Sequence, residues 1–396
     1  MNRLLAKKWT SEWWAQCFLC ILWGMLLLDY MRGIINHLPL LNNYTDEIET
    51  LVVTIPMICS IPYFIKRLKP LDYVFITVVA LIYGLNFVIY TQNIPYLENH
   101  AYSFLCTVLP FYLVGRILEL HKLETLFFYV SVIAILISAF YYLSYAQNLA
   151  DIDTEEYNMS ASYKLLPHVI MVLWITLKDS NLWKVCITII GILLIIAFGT
   201  RGPLVCIIVY AAIYLFFIKP YKHRNLIRVV IVSMSIFIFK YMDMLMLFMQ
   251  GILLKLNMST RILDKYFEQE LSISDGRYSI EHKLVSVMQT DGNIFGHGIC
   301  SSWYYINTYP HNLLLDFVFS YGYIIGSILL CIFAGIVIIA IYRCRMTDNR
   351  DFILVLICCS IVKLFMSSTY LDDTLFFMLL GYCITQLNNS RCTKVH

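Results

Sequence analysis

Charge is what this sequence has least of: Asp, Glu, Lys and Arg supply 14% of its 396 residues, where a soluble domain carries about 25%. The shortage excludes an ordinary water-soluble enzyme and a disordered chain. With 29 basic against 26 acidic residues the net charge is +3, far from the basic balance of a nucleic-acid binder, and no nucleic-acid partner is expected. Glycine and proline are also scarce, at 16 and 10 residues, so no low-complexity tract is present. Three kinds of motif are missing: a phosphate-binding GxxxxGK followed by Ser or Thr, a dinucleotide GxGxxG, and a zinc-binding HExxH. No nucleotide, cofactor or metal is therefore expected.

What fills the sequence instead is apolar. Hydrophobic residues make up 60% and the mean hydropathy is +0.71. Apolar runs lie at 15–35, 48–65, 71–91, 101–118, 123–147, 161–177, 184–199, 203–218, 226–249, 313–342, 352–370 and 373–388. They predict an all-α, polytopic membrane helix bundle of about twelve transmembrane helices, ten at the fewest, in a single membrane domain over 1–396. Arg3, Lys7 and Lys8 precede the first run as in a signal peptide. No small-residue cleavage site follows Leu28, so the run reads as a retained span. Ten of the 13 cysteines fall inside apolar runs, where a thiol behaves as a small hydrophobe. The CxxC spacing of Cys17 and Cys20 falls in one of these runs and predicts no metal or redox role.

The few charges alternate. With the N-terminus in the cytoplasm, the cytoplasmic segments hold 19 of the 29 basic residues, including Lys66–Lys69, Arg116, Lys178, Lys184, Lys219–Arg228 and Arg343–Arg350. The opposite short loops hold Arg32, Lys164 and Arg201 but gather Asp46, Glu47, Glu98, Asp151–Glu156, Asp372 and Asp373. This is the positive-inside pattern, and it predicts cytoplasmic termini and a long outer-face loop at 250–312.

Within that loop, 260–271 reads as a short amphipathic helix. A second helix is predicted from Arg277 to about Gln289, with Ile280, Leu284, Val287 and Met288 on one face. Asp291-Gly292 and Gly296-His297-Gly298 are turns.

Several residues stand out for chemistry. Arg201, in Phe198-Gly199-Thr200-Arg201-Gly202-Pro203, either snorkels from a tight interhelical turn or presents an always-charged fork of donors to a phosphate. Arg277 opens a helix, where backbone donors also favour an anion. Arg261 and Lys265 read as a solvated helix face. His311 precedes Asn312 at the mouth of a span and can serve as a general base or hydrogen-bond a hydroxyl. His297 sits between glycines that allow close approach of a ligand, or it caps a turn. Lys240 and Asp243 are spaced to pair, and Lys363 is an intramembrane charge, a functional candidate by default.

Together these residues resemble the bacterial O-antigen ligase/polymerase superfamily. Arg201-Gly202 follows a span and Gly276-Arg277 opens a loop helix. Gly296-His297-Gly298 follows some 20 residues on. His311-Asn312 is followed by nine residues and Gly322, similar to the family's pattern of His, then Asn, Ser or Gln, nine residues and Gly. The resemblance covers Arg201 to Gly322. It implies an O-antigen or capsular polysaccharide polymerase in the bacterial inner membrane, with 250–312 as its large periplasmic loop. This would be a nucleotide-independent glycosyltransferase joining undecaprenyl-diphosphate-linked oligosaccharide repeat units with release of undecaprenyl diphosphate. The lipid bilayer, a chain-length regulator and a flippase are the implied partners. His311, Arg201 and Arg277 would be catalytic. Asn312, His297, Gly296, Gly298, Arg261 and Lys363 would bind substrate. Two alternatives stay open: a ligase transferring glycan to lipid A–core, and a twelve-helix secondary transporter or glycan flippase.

The charge alternation makes one prediction without any structure. Alkaline phosphatase fused after residue 268 is expected to be active, and the same fusion after residue 221 inactive; the reverse pattern overturns the topology.

Overall fold

The computed structural model describes residues 65–66, 68–148, 160–179, 181–198, 200–218, 233, 240–255, 267, 278–290 and 294–388. The expected spans at 15–35 and 48–65, most of the one at 226–249, and the amphipathic helix at 260–271 fall essentially outside these residues. Within them the chain is all-helical, without strands. In order, the helices are α1 (Pro70–Ile89), α2 (Ile94–Ser103), α3 (Leu109–Ile117), α4 (Leu120–Asn148), α5 (Ser160–Lys178), α6 (Leu182–Ala197), α7 (Arg201–Ile213), α8 (Met242–Lys255), α9 (278–290), α10 (Ser301–Ile306), α11 (Leu313–Arg343), α12 (Asp348–Ile357) and α13 (Thr374–Asn388).

Among the described residues, three stretches are long and apolar enough to cross a membrane: Pro70–Ile89, Leu120–Leu143 and Leu313–Arg343. Their surfaces agree with that reading. On α1 the buried residues are Asp72 and Asn86, while Leu71, Val74, Val78, Leu81, Leu85 and Val88 are exposed. A helix with its polar groups inside and its aliphatic groups outside is built for lipid, where polar groups need partners within the protein. The chain is a membrane protein.

The helices fall into two compact units. One draws its described residues from Met57–Glu119 and Ile273–His396, and so contains α1–α3 and α9–α13. The other is Leu120–Ser272 with α4–α8.

In the first unit, α2 and α3 form one line joined by a π-helical turn at Phe104–Val108. Pro110 has no N–H to give the carbonyl of Cys106. The turn before it widens, and the Leu109 N–H reaches back five residues to the Phe104 carbonyl. α3 packs tightly on α13. At their crossing a Cβ on Gly115 would overlap the Met378 carbonyl, and one on Gly381 the Tyr112 carbonyl. Glycine lets the two backbones meet, as small residues do between membrane helices.

At the end of the unit carrying Lys69, Arg116 and Arg343, Asp72 is fully enclosed. It takes Nε of Arg116 on Oδ1, Nη2 of Arg116 on Oδ2 at 3.2 Å, and the Tyr112 hydroxyl at 2.9 Å. Arg116 also donates to Thr385 Oγ1 at 2.8 Å, and Arg343 to the Leu387 carbonyl. Arg116 therefore does more than set orientation: it closes a buried polar knot joining α1, α3 and α13.

In the second unit, α4–α7 carry polar links between apolar faces. Nδ1 of the buried His168 lies 3.3 Å from Ser131 Oγ, and the Thr176 and Thr188 hydroxyls are 3.0 Å apart. The Ser162 and Thr200 hydroxyls bond at one end. At the other, Lys178 meets Glu124 at 2.8 Å and Lys184 meets Asp179 at 2.7 Å.

The buried knot makes a second prediction. Arg116→Ala leaves Asp72 enclosed without its cation, and the expected loss is about 3–5 kcal/mol. Asp72→Asn combined with Arg116→Gln recovers part of it. Thermal unfolding of detergent-solubilised protein measures both.

Candidate functional site

The end of the first unit opposite Arg116 is built around a break. α11 runs from Leu313, and at Gly322 its backbone leaves the helix for φ 80°, ψ 169°. A break inside a membrane helix leaves carbonyls without their N–H partners, and these must be satisfied by the protein. The Gly-His-Gly turn satisfies them: the His297 N–H donates to the Phe319 carbonyl at 2.9 Å and the Gly298 N–H to the Ser320 carbonyl at 3.0 Å. The approach is so close that a Cβ on Gly296 would overlap the Gly322 nitrogen, and one on Gly322 the Ile294 carbonyl. Gly296 and Gly322 both adopt positive φ as well, so glycine is required twice over.

The turn is held from its other side by α1 and the short stretch after it. The Ile299 N–H donates to Asn86 Oδ1 at 2.8 Å. Asn93 Nδ2 donates to the His297 and Ile299 carbonyls at 3.0 and 3.2 Å, and the Tyr90 hydroxyl to the Gly296 carbonyl at 3.2 Å. The His297 ring lies buried, stacked on Phe319 at 4.6 Å and edge-on to Tyr305 at 5.4 Å.

His311 and Asn312 sit at the start of α11. Asn312 is the helix cap, its Oδ1 accepting from the N–H groups of Leu314 at 3.1 Å and Leu315 at 3.4 Å. Its Nδ2 donates to Glu281 at 3.3 Å. That contact ties in α9, whose Leu284 and Met288 pack on Phe319, with Ile280 and Val287 beside them. This is the face that the sequence spacing singles out. His311 takes left-handed backbone at φ 55° and its ring lies 4.3 Å from that of Tyr309.

Polar residues that the sequence reading passes over complete this end. Asp316 is buried in the first turn of α11 and accepts from Thr369 Oγ1 at 2.6 Å. His100 Nδ1 lies 2.9 Å from Asp372 Oδ1. The Tyr370 hydroxyl donates to that of Tyr321 at 2.9 Å. Burial pushes the Cys300 thiol well up from its ordinary value, and the carboxylates of Asp372 and Asp316 add to the shift. An acid four residues after Asn312 in an apolar run is the signal that could have found Asp316.

Lys363 lies at this end too, paired with Asp373 at 2.7 Å, and Asp373 also caps α13 through the Phe376 N–H at 2.8 Å. The other candidates lie elsewhere. Arg201 is the first residue of α7 in the second unit and pairs with Asp243 at 2.7 Å, the two side chains being 40% and 60% exposed. Asp243 therefore meets Arg201 across helices, where the sequence spacing matched it with Lys240; the Lys240 amine lies 5.7 Å from the Tyr241 ring centre. Arg261 and Arg277 fall outside the described residues. Among the described residues, no three His, Cys, Asp or Glu side chains gather as metal ligands do. No family model, curated protein or solved structure matches the chain.

The docked turn yields a third prediction. Gly322→Ala is expected to expel the 294–300 turn and speed limited proteolysis there. Asn312→Ala is expected to cost about 1 kcal/mol, with Asn312→Ser close to wild type; thermal unfolding distinguishes the two.

Proposed function

We propose that the chain is a bacterial inner-membrane polysaccharide polymerase. In this reading it has about twelve spans, cytoplasmic termini and a large periplasmic loop. It joins oligosaccharide repeat units carried on undecaprenyl diphosphate. The observation that carries this reading is that two motif elements, Gly296-His297-Gly298 and Gly322, meet in backbone contact, while the third, His311-Asn312, opens the same helix α11. Residues spread over the sequence as a pattern have a shared physical reason for their spacing. The nested order of the two units also suits this reading better than the consecutive halves of a transporter repeat.

The reaction breaks the bond between the anomeric carbon and the diphosphate oxygen and forms one to an acceptor hydroxyl. Negative charge grows on the departing diphosphate. Arg201 and Arg277 would supply cations for it, the electrostatic role that charged donors serve where negative charge develops. Arg201 reaches this role by exchanging Asp243 for phosphate. An exposed ion pair is worth only about 0–1 kcal/mol, so the exchange is easy. His311 orients the acceptor hydroxyl and takes its proton, a contribution of roughly 10²–10⁴ in rate.

Arg201→Ala, Arg277→Ala and His311→Ala are each expected to stop chain growth while the protein still inserts, with Arg201→Lys retaining part of the activity. The check is the glycan profile of a deletion strain complemented with each variant. Single repeat units on the acceptor match a polymerase. Polymer left on the lipid carrier points to a ligase, and full-length polymer from all three alanine variants overturns the assigned site.

A further inference from the structure

Among the described residues, left-handed backbone outside glycine occurs at four positions: Cys300, Asn307, His311 and Ser368. All four lie at the end of the first unit where the Gly-His-Gly turn docks. Each costs free energy, and such strain gathers where a geometry is needed for function. Cys300 and Asn307 bracket α10, a single short helix that carries the half-buried Trp303. Ser368 immediately precedes Thr369, which anchors to Asp316. His311 follows Tyr309-Pro310.

These strained turns set a row of rings side by side. Tyr96 lies 6.5 Å from Trp303 with planes 24° apart. Trp303 lies 6.2 Å from Tyr309 with planes 62° apart, and Tyr309 lies 4.3 Å from His311 with planes 52° apart, so the row turns its faces from one ring to the next. Beside Trp303, at 6.2 Å, is the His100 ring, held by Asp372, whose side chain is 37% exposed. Tyr96, Trp303, Tyr309 and His311 are all half-buried, each keeping part of its surface exposed, while Tyr96 and Trp303 also pack on the core around Leu97 and Ile299. Aromatic faces flanked by a few oriented polar groups are what a largely preformed small-ligand site offers. A pyranose suits such a row. Its axial C–H face lies on a ring while its equatorial hydroxyls reach a carboxylate and an imidazole.

We propose that Tyr96, Trp303 and Tyr309 form a stacking platform for pyranose rings of the acceptor glycan, leading to His311, with the His100–Asp372 pair fixing the hydroxyls. The proposal rests on the polymerase reading and adds to it the place where the acceptor binds. It explains why a helix of six residues is pinned between two strained caps: the caps fix the direction of Trp303. The platform is a binding element, and no bond is made or broken on it.

The experiment is complementation of the deletion strain with Trp303→Leu, Tyr309→Leu, Trp303→Phe, Asp372→Asn and, as a neighbour outside the row, the exposed Tyr304→Leu. Polymer is scored per membrane-inserted protein. Trp303→Leu and Tyr309→Leu are each expected to lower polymer roughly 3–10-fold, from the worth of one aromatic contact. Trp303→Phe should retain more polymer than Trp303→Leu, Asp372→Asn should fall below wild type, and Tyr304→Leu should match it. If Trp303→Leu lowers membrane abundance, Tyr309→Leu decides. Full polymer from Trp303→Leu and Tyr309→Leu, with none from His311→Ala, overturns the platform and leaves the polymerase standing. An unchanged glycan on deletion of the gene overturns the polymerase itself.

Discussion

The first unit depends on one constraint: a membrane helix cannot break without something to take its carbonyls. α11 breaks at Gly322, and the carbonyls of Phe319 and Ser320 are taken by the N–H groups of His297 and Gly298. Much of that end of the unit follows. The turn must come within backbone contact of α11, so Gly296 and Gly322 carry no side chain. Its own carbonyls need donors, so Asn93 and Tyr90 face it, and Asn86 accepts from the Ile299 N–H. Two asparagines buried in an otherwise lipid-suited stretch are explained by a turn that is more than 200 residues away in sequence.

The membrane class was legible because it is a property of sums. Low charge, long apolar runs and alternating loop signs survive any error in a single boundary. In the first unit Arg116, Arg343 and Lys69 gather at one end with Asp72, while His100, Asp372, Asp373 and Lys363 gather at the other. The amphipathic face of α9 was legible for the same reason: four apolar residues at helical spacing name a buried stripe, and Leu284 and Met288 do lie buried on Phe319.

What was not legible is partner choice. Asn312 reads as a ligand-binding group and serves as a helix cap; His297 reads as a group at a flexible turn and is stacked in the core. Asp243 has a lysine at helical spacing and meets an arginine from another helix. Arg116 was counted among charges that set orientation, yet it is enclosed with Asp72. In each case the sequence supplies the chemistry of the group, and a contact distant in sequence decides its use. Asp316 and Trp303 were hidden differently. The acid sits in an apolar run and the tryptophan among many aromatics, and only the strained caps around α10 set Trp303 apart.

The two kinds of arginine pair differ in what they can do. Arg116 and Asp72 are enclosed, and removing either partner leaves a charge without water, at a cost of about 3–5 kcal/mol. Such a pair cannot trade its partner for a passing substrate. Arg201 and Asp243 are open to solvent at 40% and 60% exposure. Water already screens their attraction to about 1 kcal/mol or less, so a diphosphate, with more charge and more acceptor oxygens than a carboxylate, competes well for the guanidinium. In the proposed polymerase reading the carboxylate is a placeholder for the anion, and the exposure that weakens the pair as a structural element is what suits Arg201 to exchange partners.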